Sequence, residues 1–127
     1  MKAQQIEKLA VEVLDFLVEH KLWVDVRIYF NGKVWDSYDP QTGEFHYNDK
    51  GKVHEEEADP KDYFDYVAEP NILSMSFEGA FYNVMNGTSE TANKLQQKFQ
   101  DILSKYGLYY ELGNAWNLTC YKDQGEL

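Results

Sequence analysis

Apolar positions recur at helical spacing over residues 4–20. Ile6, Leu9, Ala10, Val13, Phe16 and Leu17 form a stripe, and Glu7, Glu12, Asp15 and Glu19 lie off it. The period then changes. Over residues 23–30, Val24, Val26, Ile28 and Phe30 alternate with Trp23, Asp25, Arg27 and Tyr29, which predicts a half-buried strand. Asn31-Gly32 supplies a hairpin turn, since both turn positions need φ > 0. Residues 33–38 return as its partner. After a turn at 39–43, short strands are expected at 44–47 and 52–55, with Asn48-Asp49-Lys50-Gly51 between them. The simplest account is a meander of four strands.

Asp59-Pro60 reads as a helix start, with Asp as N-cap and Pro at the first helical position. A short helix over 60–68 would align Asp59, Asp62, Asp65 and Glu69 as one ridge. Tyr63, Phe64 and Val67 would then anchor its other side. Leu73, Met75 and Phe77 alternate with Ser74 and Ser76 in a strand over 72–77, and residues 80–85 make a helical turn. A second long helix runs from a cap at Thr88 or Ser89 to about Tyr106, with Ala92, Leu95, Phe99, Ile102, Leu103 and Tyr106 buried. Strands over 108–112 and 115–121 finish the chain. The pattern predicts a single α+β domain over residues 1–127. A mostly antiparallel sheet of about six to seven strands carries two main helices on one face, beside a short acidic helix. Ile6, Leu9, Val13, Leu17, Val26, Ile28, Met75, Phe77, Leu95, Phe99 and Ile102 are the expected core.

Charge adds what periodicity does not. The 127 residues carry a net −10, and 11 acidic residues stand against three basic ones between Asp36 and Glu69. That third of the chain therefore holds −8 of the total. Such a balance disfavours direct binding to nucleic acid or an anionic membrane. Two readings fit the concentrated carboxylates. One is a solvated acidic face. The other is an array standing in for nucleic-acid phosphates, contacting a basic groove through Glu55, Glu56, Glu57, Asp59, Asp62, Asp65 and Glu69 with Tyr63 and Tyr66. Tyrosine, present ten times, gives large contact area at modest entropy cost. Set among carboxylates it suits an arginine-rich partner.

Other chemistry is sparse. His46 and His54, with Glu44 and Glu56 nearby, could face each other across a hairpin and hold a divalent metal, but an exposed histidine pair is commoner. The single cysteine, Cys120, sits on an apolar strand face and reads as a structural thiol in a reducing cytosol. No phosphate loop, nucleophile elbow or metal-binding helix motif occurs, and no cofactor is called for. A soluble cytoplasmic protein is expected, with homo-oligomerisation left open. A binding protein is favoured over an enzyme with an acid-lined cleft.

The segments MSFEGAFYNVMN (75–86) and YGLYYELGNAWNLTCY (106–121), with KAQQIEKLAVEVLDFL and VDVRIYFNGK near the start, resemble a family of small acidic proteins. These come from mobile elements of gut bacteria and include a type II-A anti-CRISPR protein, an inhibitor of Cas9. The resemblance covers nearly the whole chain, is weakest over residues 36–54, and carries over no site residues. It implies a Cas9 inhibitor, expected to act stoichiometrically, whose acidic, Tyr-bearing surface competes with DNA for a basic groove or locks a nuclease domain from elsewhere. An immunity protein neutralising a basic nuclease toxin would use the same electrostatics.

Overall fold

In the computed structural model, which describes residues 1–123, the two long amphipathic stretches are helices. They are α1 (Ala3–Glu19) and α3 (Glu90–Ser104), the latter capped by Ser89, whose hydroxyl accepts the Ala92 N–H at 3.1 Å. A third, α2 (Gly79–Met85), precedes α3. Strands β1 (Val26–Phe30), β2 (Lys33–Asp36), β5 (His54–Glu57), β6 (Leu73–Phe77), β7 (Leu108–Asn114) and β8 (Asn117–Lys122) form one antiparallel sheet in the order β5-β2-β1-β6-β8-β7. Two further strands, β3 (Tyr38–Asp39) and β4 (Glu44–Phe45), pair only with each other. The architecture is α+β, as the periodicity predicts.

Register decides which side of the sheet each residue faces, because directly paired residues share a face. One row runs Glu55–Trp35–Ile28–Met75–Leu118–Leu112 across all six strands. Its central members are fully buried against the helices, together with Leu9, Val13, Leu17, Phe81, Phe99 and Leu103. The neighbouring row, Glu56–Val34–Tyr29–Ser74–Thr119–Glu111, faces the other way. Its buried hydroxyls satisfy each other, with Ser74 Oγ and Thr119 Oγ1 2.9 Å apart.

This second face is covered by chain rather than by helix. Residues 58–71 cross it as a strap. At one end the Ala58 N–H donates to the Gly32 carbonyl. In the middle Phe64 is buried, edge-on to Tyr29 and to Trp116 at 5.6 and 5.8 Å between ring centres. At the far end the Ala68 N–H donates to the Tyr121 hydroxyl at 3.1 Å. Tyr29, Val34 and Phe64 form a small second core, with Ala58 and Val67 against it.

Three expectations are corrected. First, residues 60–68 are not a helix: one 3-10 turn, Pro60–Asp62, is followed by irregular chain. The cap is real, since Asp59 Oδ1 accepts the Lys61 N–H at 3.0 Å. Beyond it Phe64 is drawn into the sheet face and Tyr66 adopts a left-handed backbone at φ 68°, which no right-handed helix admits. Second, β5 pairs with β2 and not with the strand before it. Lys33 Nζ and Trp35 Nε1, both on β2, hold Glu55 Oε1 at 3.3 and 2.7 Å, so the cross-strand chemistry of β2 and β5 matches. Residues 37–53 leave the sheet as a projecting hairpin. Third, β1 begins at Val26, because Asp25 at φ 57° interrupts extended backbone, and Trp23 is buried in the preceding loop.

Candidate protein-binding surface

Of the nine residues singled out for a partner, Asp59, Asp62, Asp65 and Glu69 do not form the expected helical ridge, because the helix that would align them is a single 3-10 turn. Glu55, Glu56 and Glu57 lie on an edge strand, where consecutive side chains alternate between faces. Glu55 and Glu57 share the helix face, Glu57 opposite Lys33, and Glu56 is on the strap face. The hydrogen bond from Trp35, then that from Lys33, holds the Glu55 carboxyl below its ordinary range. Lys33 also pairs with Glu7 of α1 at 2.9 Å, so Glu55 belongs to a local network. Asp59 is spent on its cap. Glu69 is paired with Lys61, which likewise keeps its carboxyl low.

What remains forms a smaller surface. Among the described residues Asp62 and Asp65 have no cationic partner within salt-bridge distance, and both are exposed. Tyr63 and Tyr66 stand out from the strap at 55% and 72% exposure while their neighbour Phe64 points in. Tyr63 is steadied by its ring contact with Tyr29, 5.6 Å between centres. Glu56 joins Tyr63 in lining a hollow of about 250 Å³ whose floor is Arg27, Tyr29, Val34 and Asp36. Among the described residues Tyr66 combines the highest exposure of the large apolar side chains with a backbone conformation rarely adopted by bulky residues. The structure thus brings together Glu56 and Tyr63, and sets Asp62, Asp65 and Tyr66 on the strap beyond them.

The histidine pair meets differently from the hairpin expectation. His46, just after β4, and His54, at the start of β5, line one cavity of about 490 Å³ with Asp39, Glu44 and Lys52, although β4 and β5 are not partners. Among the described residues no group of three or more His, Cys, Asp or Glu side chains is arranged to hold a metal ion. Cys120 is wholly buried, and burial raises its thiol pKa far above the ordinary value. Among the described residues no helix is long and apolar enough to cross a membrane.

Sequence reasoning missed the surface around the projecting hairpin. Tyr38 and Phe45 are paired across β3 and β4 with ring centres 4.9 Å apart, and Tyr47 stacks on Phe45 at 5.4 Å. The expected turn at 39–43 does set Tyr38 beside Phe45, so the pairing itself was legible; what went unread is that the rings of Tyr38, Phe45 and Tyr47 come together there.

Comparison with known proteins finds no matching family model, no matching curated protein and no matching solved structure.

Proposed function

We propose that this protein is a stoichiometric inhibitor that binds a basic, nucleic-acid-binding protein through the outer side of its strap. Its target, following the family resemblance of the sequence, is a type II-A Cas9. The observation that carries the binding reading is the strap itself. It holds Asp62 and Asp65 without cationic partners among the described residues, beside two tyrosines more than half exposed. Unpaired carboxylates next to exposed rings fit arginine, which forks onto carboxylates and stacks on aromatic faces. A net charge of −10 would steer such a partner in from a distance. Competition with DNA follows, because the groove that accepts these carboxylates is the one that otherwise accepts phosphates.

The test is capture of guide-loaded Cas9 by the immobilised chain, with and without target DNA. Capture that target DNA abolishes, at a one-to-one ratio, supports the reading. A chain that captures no Cas9, or inhibits far below the Cas9 concentration, overturns it.

A further inference from the structure

We propose that the hollow beside the β3–β4 hairpin is a second contact region, which receives an arginine side chain from an extended basic segment of a protein partner. It rests on the reading that the partner is a basic protein; the hollow adjoins the one lined by Glu56 and Tyr63, sharing Arg27, Asp36 and Tyr38 with it, but Asp25, Phe45 and Glu78 belong to it alone of the two. The starting point is a pair of exposed rings that lie outside the cores. Phe45 is 53% exposed and Tyr47 is also exposed, and neither belongs to a core cluster. The ribbon that carries them has only two residues in each strand and would be marginal alone.

That ribbon is nevertheless pinned at several points. The Trp23 N–H donates to Asn48 Oδ1 at 3.0 Å and the Asn48 N–H returns to the Trp23 carbonyl. The His46 N–H donates to the Ser37 carbonyl, and the Tyr47 hydroxyl donates to Asp25 Oδ1 at 2.9 Å. The aromatic ladder is therefore held in place before any partner arrives, which lowers the cost of binding.

Beneath the ladder lies a hollow of about 440 Å³ walled by Tyr38, Phe45, Asp25, Asp36, Glu78 and Arg27. Arg27 Nε is committed to Asp36 Oδ2 at 3.0 Å. Glu78 has no cationic partner among the described residues, and its N–H donates to the Asp25 carbonyl, which ties it to the Asp25 loop. Three carboxylates against one guanidinium leave the hollow at −2. A cation with a flat face answers both features: it can fork onto carboxylates and lie against Phe45 or Tyr38. Arginine does both, whereas lysine offers a point charge only.

The test uses a fluorescein-labelled peptide of alternating glycine and arginine with the full chain, beside matched peptides carrying lysine or neutral citrulline. Binding should follow arginine over lysine over citrulline. Phe45→Leu, which removes the ring but keeps the bulk, and Asp25→Asn should each weaken arginine-peptide binding about fivefold, the scale of one cation–π contact or one charged hydrogen bond. Asp62→Asn with Asp65→Asn should change it less than about twofold, since neither residue lines the hollow and both are exposed to screening by salt. Amide shifts from residues 25, 38, 45 and 78 should move on titration, which also reports that the hairpin is folded. Equal binding of the lysine peptide, no loss in Phe45→Leu, or shifts centred on the strap would overturn the proposal. So would a dimer of the free chain that Phe45→Leu dissolves, since the ladder would then be a self-interface. The assay contains no Cas9, so its failure removes the hollow and leaves the strap reading standing.

Discussion

The β-carbon of Tyr66 stands 3.1 Å from the point that a side-chain carbon on Gly113 would occupy. Gly113 is the extra residue of a bulge in β7, between the pairs Leu112–Leu118 and Asn114–Asn117. The same added carbon would fall 2.2 Å from Asn117 Oδ1. Gly113→Ala should therefore displace both the strap and the buried Asn117, costing about 1–3 kcal/mol as an overpacked site. Urea unfolding measures the loss. Tyr66→Ala should leave stability within about 0.5 kcal/mol, as an exposed position does.

Strap carboxylates should govern association rate. Replacing Asp62 and Asp65 by Asn keeps their shape and removes charge. Association with the basic partner should slow, and the remaining rate should respond less to salt, because exposed charges act only over about 8–10 Å at physiological ionic strength. Thermal stability should be unchanged or slightly higher. Adding Glu69→Gln should lower stability instead, through loss of the Lys61 pair. Stopped-flow mixing across a salt series checks the first, and thermal melts check the rest.

Glu12, Lys105 and Tyr106 tie α1 to the end of α3. Hydrogen bonds from Lys105 and then Tyr106 hold the Glu12 carboxyl below its ordinary 4.5. As pH falls below that value the unfolded chain takes up the proton first, so stability present above 4.5 is lost on the way down. Tyr106 behaves oppositely. Burial, then the bond to Glu12, pushes its phenol up to about 12 from 10.0. Between those values the unfolded chain is the one that ionises, so stability falls as pH rises. Glu12→Gln should flatten the acid limb and let Tyr106 titrate nearer 10, read by absorbance at alkaline pH against a Tyr106→Phe control.

The hydroxyl pair between Ser74 and Thr119 is buried beneath the strap. Thr119→Val leaves the Ser74 hydroxyl unpaired and should cost about 1–3 kcal/mol. Ser74→Ala combined with Thr119→Val should cost less than the two single changes summed, since no orphaned group remains. Chemical denaturation of the four variants checks this.

Much of this fold is legible in the residues. The stripes of α1 and α3, the Asn31-Gly32 turn with both φ values positive, and the alternation of β6 all translate directly into structure. Every expected core residue is at least partly buried, with Ile6, Leu95 and Ile102 at the margin of the helix-side core. Strand partnership is less visible. A period of two says which face a residue takes but not which strand lies beside it, so the β5–β2 pairing across the hairpin was not readable. The strap shows why the candidate site was only half found. Asp59 and Pro60 give a true start, but the stop comes from Phe64 packing on Tyr29, a long-range contact no local pattern announces. The split of Glu55, Glu56 and Glu57 was there to be read, because neighbours on a strand cannot share a face.

That split has a consequence for how copies of the chain meet. β5 is an outer strand of the six-stranded sheet, and the outer strand of a sheet offers unpaired backbone groups to any passing β-strand. Here three glutamates in succession place negative charge on both sides of that margin. A second copy approaching edge to edge would bring the same three charges against them, without lysines on β5 to answer. That repulsion, softened at Glu55 by its Lys33 pair, opposes self-addition at this end of the sheet, and valines in place of Glu55, Glu56 and Glu57 should turn a repellent margin into an adhesive one.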